Sequence, residues 1–250
     1  MTSRIFLAGA GGAVGRRLVP LLRDAGHEVF GTTRDPAKAE VLHRLGAEPV
    51  VVDVFDTRAL SDAVAAARPQ VVIHQLTDLP PGLDPARMAE SVPRNARIRS
   101  EGTRNLVAAA REAGARRLIA QSIAWVYAPG TPPYAEDHPL DRSPDSPRRV
   151  SIDGVAALET QVLNTPPLEG LVLRYGQFYG PGTGVDAAPA PGSVHVDAAA
   201  RAALLAVDRG RPGLFNVAEP GGPALVEKAM RELGWDAGFR SPGNATGEAV

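Results

Sequence analysis

The chain has no cysteine among its 250 residues, which excludes disulfides and thiolate-held metals and suits a reducing compartment. An excess of either charge is missing too. Its 27 basic and 28 acidic residues leave a net charge of −1, giving no footprint for nucleic acid or an anionic membrane. No apolar run reaches the length of a membrane span, and the segment after Met1-Thr2-Ser3-Arg4 is too short for a signal h-region. A soluble cytoplasmic protein is the expectation. There is no internal repeat and no metal-ligand spacing such as His-Glu-x-x-His, so no metal is expected. The length allows a full buried core, and one domain over residues 1–250 is expected.

What is present begins at the amino end. The apolar strand Ile5-Phe6-Leu7-Ala8 runs into Gly9-Ala10-Gly11-Gly12-Ala13-Val14-Gly15, and a helix-forming stretch from Arg16 to Ala25 follows. This is the βα start of a dinucleotide-binding fold. Gly9 permits the tight turn, Gly12 lets the backbone approach a pyrophosphate, and Gly15 lets the helix pack closely on the strand. Free N–H groups and the dipole at the helix start favour phosphate. Further strands are predicted at 28–33, 48–52, 70–76, 117–122, 171–175 and 213–217, with helices between most of them and a final one near Leu225 to Leu233. Near-continuous apolar strands separated by helices mean a parallel sheet covered on both faces, a Rossmann-type doubly wound α/β fold. Six prolines (129, 132, 133, 139, 144 and 147) exclude a helix or central strand between Ala128 and Arg149 and predict a lid-like loop over 128–150. A second Gly- and Pro-rich segment covers 180–194, and a solvated tail is expected from Ser241.

Several motifs carry a resemblance: Gly9-x-x-Gly12-x-x-Gly15, Gly102-Thr103-Arg104-Asn105-Leu106, Arg174-Tyr175-Gly176-Gln177-Phe178-Tyr179-Gly180-Pro181-Gly182, His195-Val196-Asp197 and Leu233-Gly234-Trp235. Together they resemble the extended and atypical short-chain dehydrogenase/reductases, the NAD-dependent epimerase/dehydratase-like group. The resemblance spans nearly the whole chain and implies a nicotinamide cofactor and hydride transfer. It also implies a catalytic tetrad that is missing here. In Gln121-Ser122-Ile123-Ala124-Trp125-Val126-Tyr127 the serine position falls on Ile123. The tyrosine and lysine of Tyr-x-x-x-Lys fall on Ser151 and Val155, and the helix asparagine on Arg99. Against the family, the substrate-binding region is reduced.

NAD-binding relatives close the second strand with an acidic residue, whereas this chain has Thr32-Thr33-Arg34. A guanidinium fits a 2′-phosphate, so NADPH is favoured and NADH possible. Asp35 before Pro36 reads as a helix cap. The expected cofactor-binding residues are Gly9, Gly12, Ala13, Val14, Gly15, Arg34, Asp53, Val54, Leu76, Thr77, Gln121, Tyr175 and Phe178, with Trp125 and Gln177 facing substrate. Ser122 and Tyr127 are the proton-donor candidates; a structural hydroxyl and a packed aromatic are the competing readings. His74 reads as a buried imidazole, and Asp197 as the cap of the helix after His195.

Hydride transfer is the cofactor's chemistry. Orientation supplies effective molarities of ~10⁵–10⁸ M, against ~10²–10⁴ in rate from a general acid. A reductase can therefore work without the tyrosine where a substrate hydroxyl protonates the alkoxide. Ketones beside phenols meet that need, and the resemblance extends to ketoreductases of polyketide antibiotic pathways. The expected function is an NADPH-dependent ketoreductase acting on a hydroxylated, aromatic polyketide-like small molecule, with substrate- or water-assisted protonation. Two alternatives stay open: a non-catalytic NADP-binding regulator or sensor, and a nucleotide-sugar epimerase or dehydratase.

Overall fold

The computed structural model describes residues 2–241. The chain alternates β1 (Arg4–Ala8), α1 (Ala13–Asp24), β2 (Glu28–Thr33), α2 (Ala39–Leu45), β3 (Glu48–Val51), α3 (Thr57–Ala67) and β4 (Val71–His74). Next, α4 (Pro85–Arg97) passes through a π-turn (Ile98–Gly102) into α5 (Thr103–Glu112). The remaining elements are β5 (Arg117–Ile123), α6 (Arg149–Leu163), β6 (Glu169–Tyr175), β7 (Phe178–Tyr179), β8 (Val194–His195), α7 (Val196–Leu205) and β9 (Gly213–Val217).

Seven strands form one parallel sheet in the order β3-β2-β1-β4-β5-β6-β9. Every residue of β4 and β5 is buried, which is what an apolar strand needs at the centre of a sheet covered twice. One face packs on α1 and α7 through Leu7, Ile73, Leu173 and Phe215 against Leu18, Leu22 and the alanines of α7. The other packs on α3, α5 and α6 through Phe6, Val72, Leu118 and Val172 against Leu60, Leu106 and Leu158. Each such side chain contributes roughly 1.5–3 kcal/mol on burial. In α1, Val14, Leu18 and Leu22 recur one turn apart and form its buried stripe. The Asp56 carboxylate accepts from Ala59 N–H at 3.0 Å and Asp84 from Ala86 N–H at 3.0 Å, capping α3 and α4.

Strand order reverses between β1 and β4. That is the switch point at which an open parallel sheet leaves a crevice beyond its carboxyl ends.

Two details differ from expectation. His195, not Asp197, caps α7: its Nδ1 accepts from Asp197 N–H at 3.2 Å, while the Asp197 carboxylate holds Arg17 of α1 at 2.6 Å. The half-buried arginine pairs with the carboxylate, and the cap falls to the imidazole. The final helix narrows to a π-turn over Ala229–Leu233, ended by Gly234 at φ +67°. The proline-rich segment is tied down by backbone bonds: Asp141 N–H to the Val126 carbonyl, Tyr134 N–H to Pro223 and Leu225 N–H to Tyr134. The tail expected beyond Ser241 lies outside the described residues.

Candidate functional site

The glycine turn sits between β1 and α1 at the crevice. Gly9 has φ +92°, and a Cβ there would stand 2.7 Å from the Gln75 carbonyl carbon, so only glycine fits. A Cβ at Gly15 would overlap the Gly9 carbonyl oxygen, so this glycine sets how closely helix meets strand. Gly11 and Gly12 differ: a Cβ meets nothing within 4 Å at the first and only the Gly9 carbonyl, 3.4 Å away, at the second. The turn is closed underneath and open above. That is the shape a pyrophosphate needs over a helix N-terminus.

A cleft of about 380 Å³ opens there, lined by the turn, the ends of β2 and β4, and the segment after β3. Of the expected cofactor residues, Gly9, Gly12, Arg34, Val54, Leu76 and Thr77 line it. The Asp53 carboxylate instead accepts from Phe55 N–H at 2.9 Å and shapes the turn beneath. Val14 is buried in the core, with Ala13 packed against the same cluster. Tyr175 is fully buried, its hydroxyl donating to the Ala199 carbonyl at 3.2 Å, and half-buried Phe178 packs on its ring at 5.3 Å between centroids. Sequence reasoning missed Thr32, Thr33, Lys38, Phe55 and Ile98, all of which line the cleft. Thr32 Oγ1 accepts from Gly9 N–H at 3.2 Å and ties β2 to the turn. The available signal was Lys38, four residues beyond Arg34 on a short helical turn capped by Asp35, whose carboxylate accepts from Ala37 N–H at 3.0 Å.

At the ends of β5 and β6 the chemistry changes. Ser122 has no exposed surface and donates to Glu159 Oε1 at 2.9 Å. Arg174 clamps the same carboxylate through Nε at 2.8 Å and a second nitrogen at 2.6 Å. Arg174 also donates to the Tyr127 hydroxyl at 3.1 Å, and that hydroxyl donates to Asn216 Oδ1 at 2.6 Å. Burial pushes the Tyr127 hydroxyl up from its ordinary pKa. Both candidate hydroxyls are thus committed to one buried polar network. The tetrad positions show a different surface. Ile123 and Val155 pack with Val126, Tyr127 and Ile152 in an apolar cluster, and Ser151 is half-buried at the start of α6. Trp125 keeps 37% of its surface exposed, Gln121 is buried and Gln177 half-buried.

Residues 9–166, more than half of the chain, match the model of a family described as NAD(P)H-binding. The chain belongs to that family. It is similar to the 3-diazoavenalumate denitrifying reductase of a Streptomyces species, at 42% identity over 86% of this chain and 76% of the relative. A ketoreductase of Stigmatella aurantiaca, acting on a 4-hydroxy-3-oxo-dihydroquinoline oxide, is 29% identical over 56% of this chain and 40% of its own length. Among solved structures, the UDP-glucose 4-epimerase of Thermotoga maritima is 19% identical, with 96% of this chain and 94% of that one covered at a TM-score of 0.75. The Bordetella bronchiseptica enzyme WbmG, in complex with NAD, is 22% identical, with 96% and 91% covered at 0.71. These structural likenesses show the fold. The chain is an NAD(P)H-dependent oxidoreductase of the atypical short-chain dehydrogenase/reductase type, with a nicotinamide dinucleotide as cofactor. No helix among the described residues is long and apolar enough to cross a membrane.

Proposed function

We propose that this oxidoreductase uses NADPH to reduce an electron-poor centre on a hydroxylated aromatic small molecule, without a proton donor from the protein. The carrying observation is the pairing of Ile123 with Val155 in an apolar cluster, while Ser122 and Tyr127 spend their hydroxyls on Glu159 and Asn216. When bound, the nicotinamide supplies the hydride. The chain's own residues bind, orient and keep water out. Arg34 and Lys38 border the cleft at the end of β2, where a 2′-phosphate would meet two cations. Asp35, which borders the same corner, caps the short helical turn through Oδ1 and lies 4.0 Å from Lys38 through Oδ2, an exposed and loose pair that a phosphate would compete for. The turn from Gly9 to Gly12 receives the pyrophosphate, and the exposed Trp125 offers a flat wall for an aromatic ring.

The first reading of the reducible group is a ketone beside a phenol, whose hydroxyl hydrogen-bonds and then protonates the alkoxide. A second is a diazo group, and the 42% identical denitrifying reductase favours it. Hydride adds to the terminal nitrogen of an aryl diazonium and gives a diazene. The carbon–nitrogen bond then breaks, dinitrogen leaves, and the carbon keeps the electron pair and takes the proton. No alkoxide forms, so no acid is needed at the moment of transfer.

The test is NADPH consumption by absorbance across ortho-hydroxyaryl ketones, their methyl ethers, simple ketones and an ortho-hydroxyaryl diazonium salt, with dinitrogen measured in the headspace. Turnover confined to hydroxylated ketones or to the diazonium is expected. Turnover of none of these overturns the proposal.

A further inference from the structure

We infer that Arg99 is the anion-binding residue of the substrate site, its guanidinium taking an oxyanion of the substrate, either a carboxylate or a phenolate. The inference deepens the reductase reading and rests on it.

The starting point is a buried cation with no counter-ion. Arg99 is 5% exposed, yet among the described residues no hydrogen bond or ion pair reaches its guanidinium. The carboxylate that influences it, Glu159, is already clamped by Arg174 and Ser122. Its other ionisable neighbour, His74, is neutral. The side-chain polar atoms that are both sealed and unpartnered belong to Gln75 and Gln161 among the described residues, so the nitrogens of Arg99 meet space that water can enter. Burial lowers its pKa only to about 10, which leaves it charged at neutral pH.

A buried charge without a partner opposes folding, and a chain keeps one where a ligand completes it. The local backbone points the same way. Arg99 lies in the π-turn between α4 and α5, an irregularity that concentrates at functional sites, directly after Ile98 of the cleft wall. Ala96 and Gly154 touch closely enough that a Cβ on the glycine would stand 3.0 Å from the Ala96 Cα. The π-turn therefore lies against the part of α6 that carries Val155 and Glu159. Position 155, where the family resemblance implies a cation, is apolar, and the neighbouring turn supplies the cation instead. A guanidinium's planar fork matches a carboxylate with two parallel bonds and a phenolate with one or two.

Calorimetry on the protein saturated with NADP⁺ tests this, using 4-hydroxycinnamate, its methyl ester and 4-methoxycinnamate as probes. Wild type should bind 4-hydroxycinnamate at least tenfold more tightly than one masked probe. Loss with the ester identifies a carboxylate, and loss with the ether a phenolate. Arg99→Met should bind all three alike while keeping its NADP⁺ affinity within twofold, and Arg99→Lys should keep part of the preference. The melting temperature of Arg99→Met should be no lower than wild type, since a desolvated charge has been removed. Equal binding of the three probes by wild type, no binding of 4-hydroxycinnamate, a preference that survives in Arg99→Met, or failure of Arg99→Met to fold would each overturn the inference. A protein that turns over its panel without oxyanion preference loses this role for Arg99 and keeps the reductase reading. One that shows the preference but reduces nothing loses the reductase reading and keeps the anion site.

Discussion

At the residue scale, a single imidazole ties the cleft wall to solution pH. His74 ends β4 fully buried; its Nδ1 accepts from Leu76 N–H at 3.2 Å, and its Nε2 lies 3.0 Å from Thr103 Oγ1. With Nδ1 as acceptor, the ring proton sits on Nε2 and is donated to Thr103. Burial, reinforced by the charge of Arg99, lowers the pKa from 6.5 to about 4. Between those values the unfolded chain holds a proton that the native ring does not. Stability therefore falls as pH is lowered from 6.5 to 4, by of order 3 kcal/mol over the full window. Denaturant midpoints from pH 7 to 4 should fall less steeply for His74→Asn than for wild type. Equal slopes would show that His74 does not carry the effect. Arg34 offers the corresponding test of cofactor choice. Arg34→Ala should weaken NADPH roughly ten- to a hundredfold, the ~1.5–3 kcal/mol of a bond to a charged group, and leave NADH nearly unchanged. Calorimetric titration with both dinucleotides decides it, and equal losses would remove the 2′-phosphate from Arg34.

At the element scale, β5, β6 and α6 are joined by an ion pair rather than by apolar packing alone. Glu159 of α6 and Arg174 of β6 lie 2.6 Å apart with side chains 7% and 3% exposed. Removing one partner strands the other, at a cost of roughly 3–5 kcal/mol, whereas an apolar pair of similar volume is often neutral. Glu159→Leu should destabilise by about that amount in urea, and the double variant with Arg174→Met should recover most of it. A double variant no more stable than the single one would show that Ser122 and Tyr127 need the charges as well. None of this network was legible in the sequence, because its members come from five separate segments that only the sheet order assembles. The strands themselves were legible, since two-sided burial leaves continuous apolar runs such as Val71-Val72-Ile73. The glycine turn was legible for a related reason: steric exclusion at Gly9 and Gly15 writes itself into spacing. Lys38 and Phe55 were not, because an exposed lysine and an aromatic after a strand look the same whether or not a cleft lies beside them. Sequence leaves the Tyr127 hydroxyl as open to substrate as to the fold, since it gives no sign of Asn216 on a strand 89 residues away.

At the scale of the whole molecule, the two halves of the crevice are built differently. The half formed by β1, β2 and β4 is an open cleft of mixed lining, with Thr32, Thr33, Arg34 and Lys38 facing Val54, Phe55 and Ile98, and it is the half proposed to take the dinucleotide. The half beyond β5 is dry at Ile123 and Val155, with its hydroxyls turned into a buried network. This division predicts a separation between stability and turnover. Tyr127→Phe removes a hydroxyl that donates to Asn216 and accepts from Arg174, so it should lower stability by about 1–3 kcal/mol. Ser122→Ala should act in the same direction but more weakly, since it removes one of the two donors to Glu159 Oε1 and leaves Arg174 Nε in place, and Ser151→Ala, at a half-buried position, should do little. None should reduce kcat by the ~10²–10⁴ expected for a general acid. Steady-state kinetics at a temperature where all three variants are folded, with NADPH affinity measured alongside, makes the comparison. A folded Tyr127→Phe that binds NADPH normally and loses several orders of magnitude in kcat would mean that the network opens in the working enzyme. The proton would then come from Tyr127 through an exchange of its Asn216 bond for one to substrate, and a protein acid would return to the mechanism.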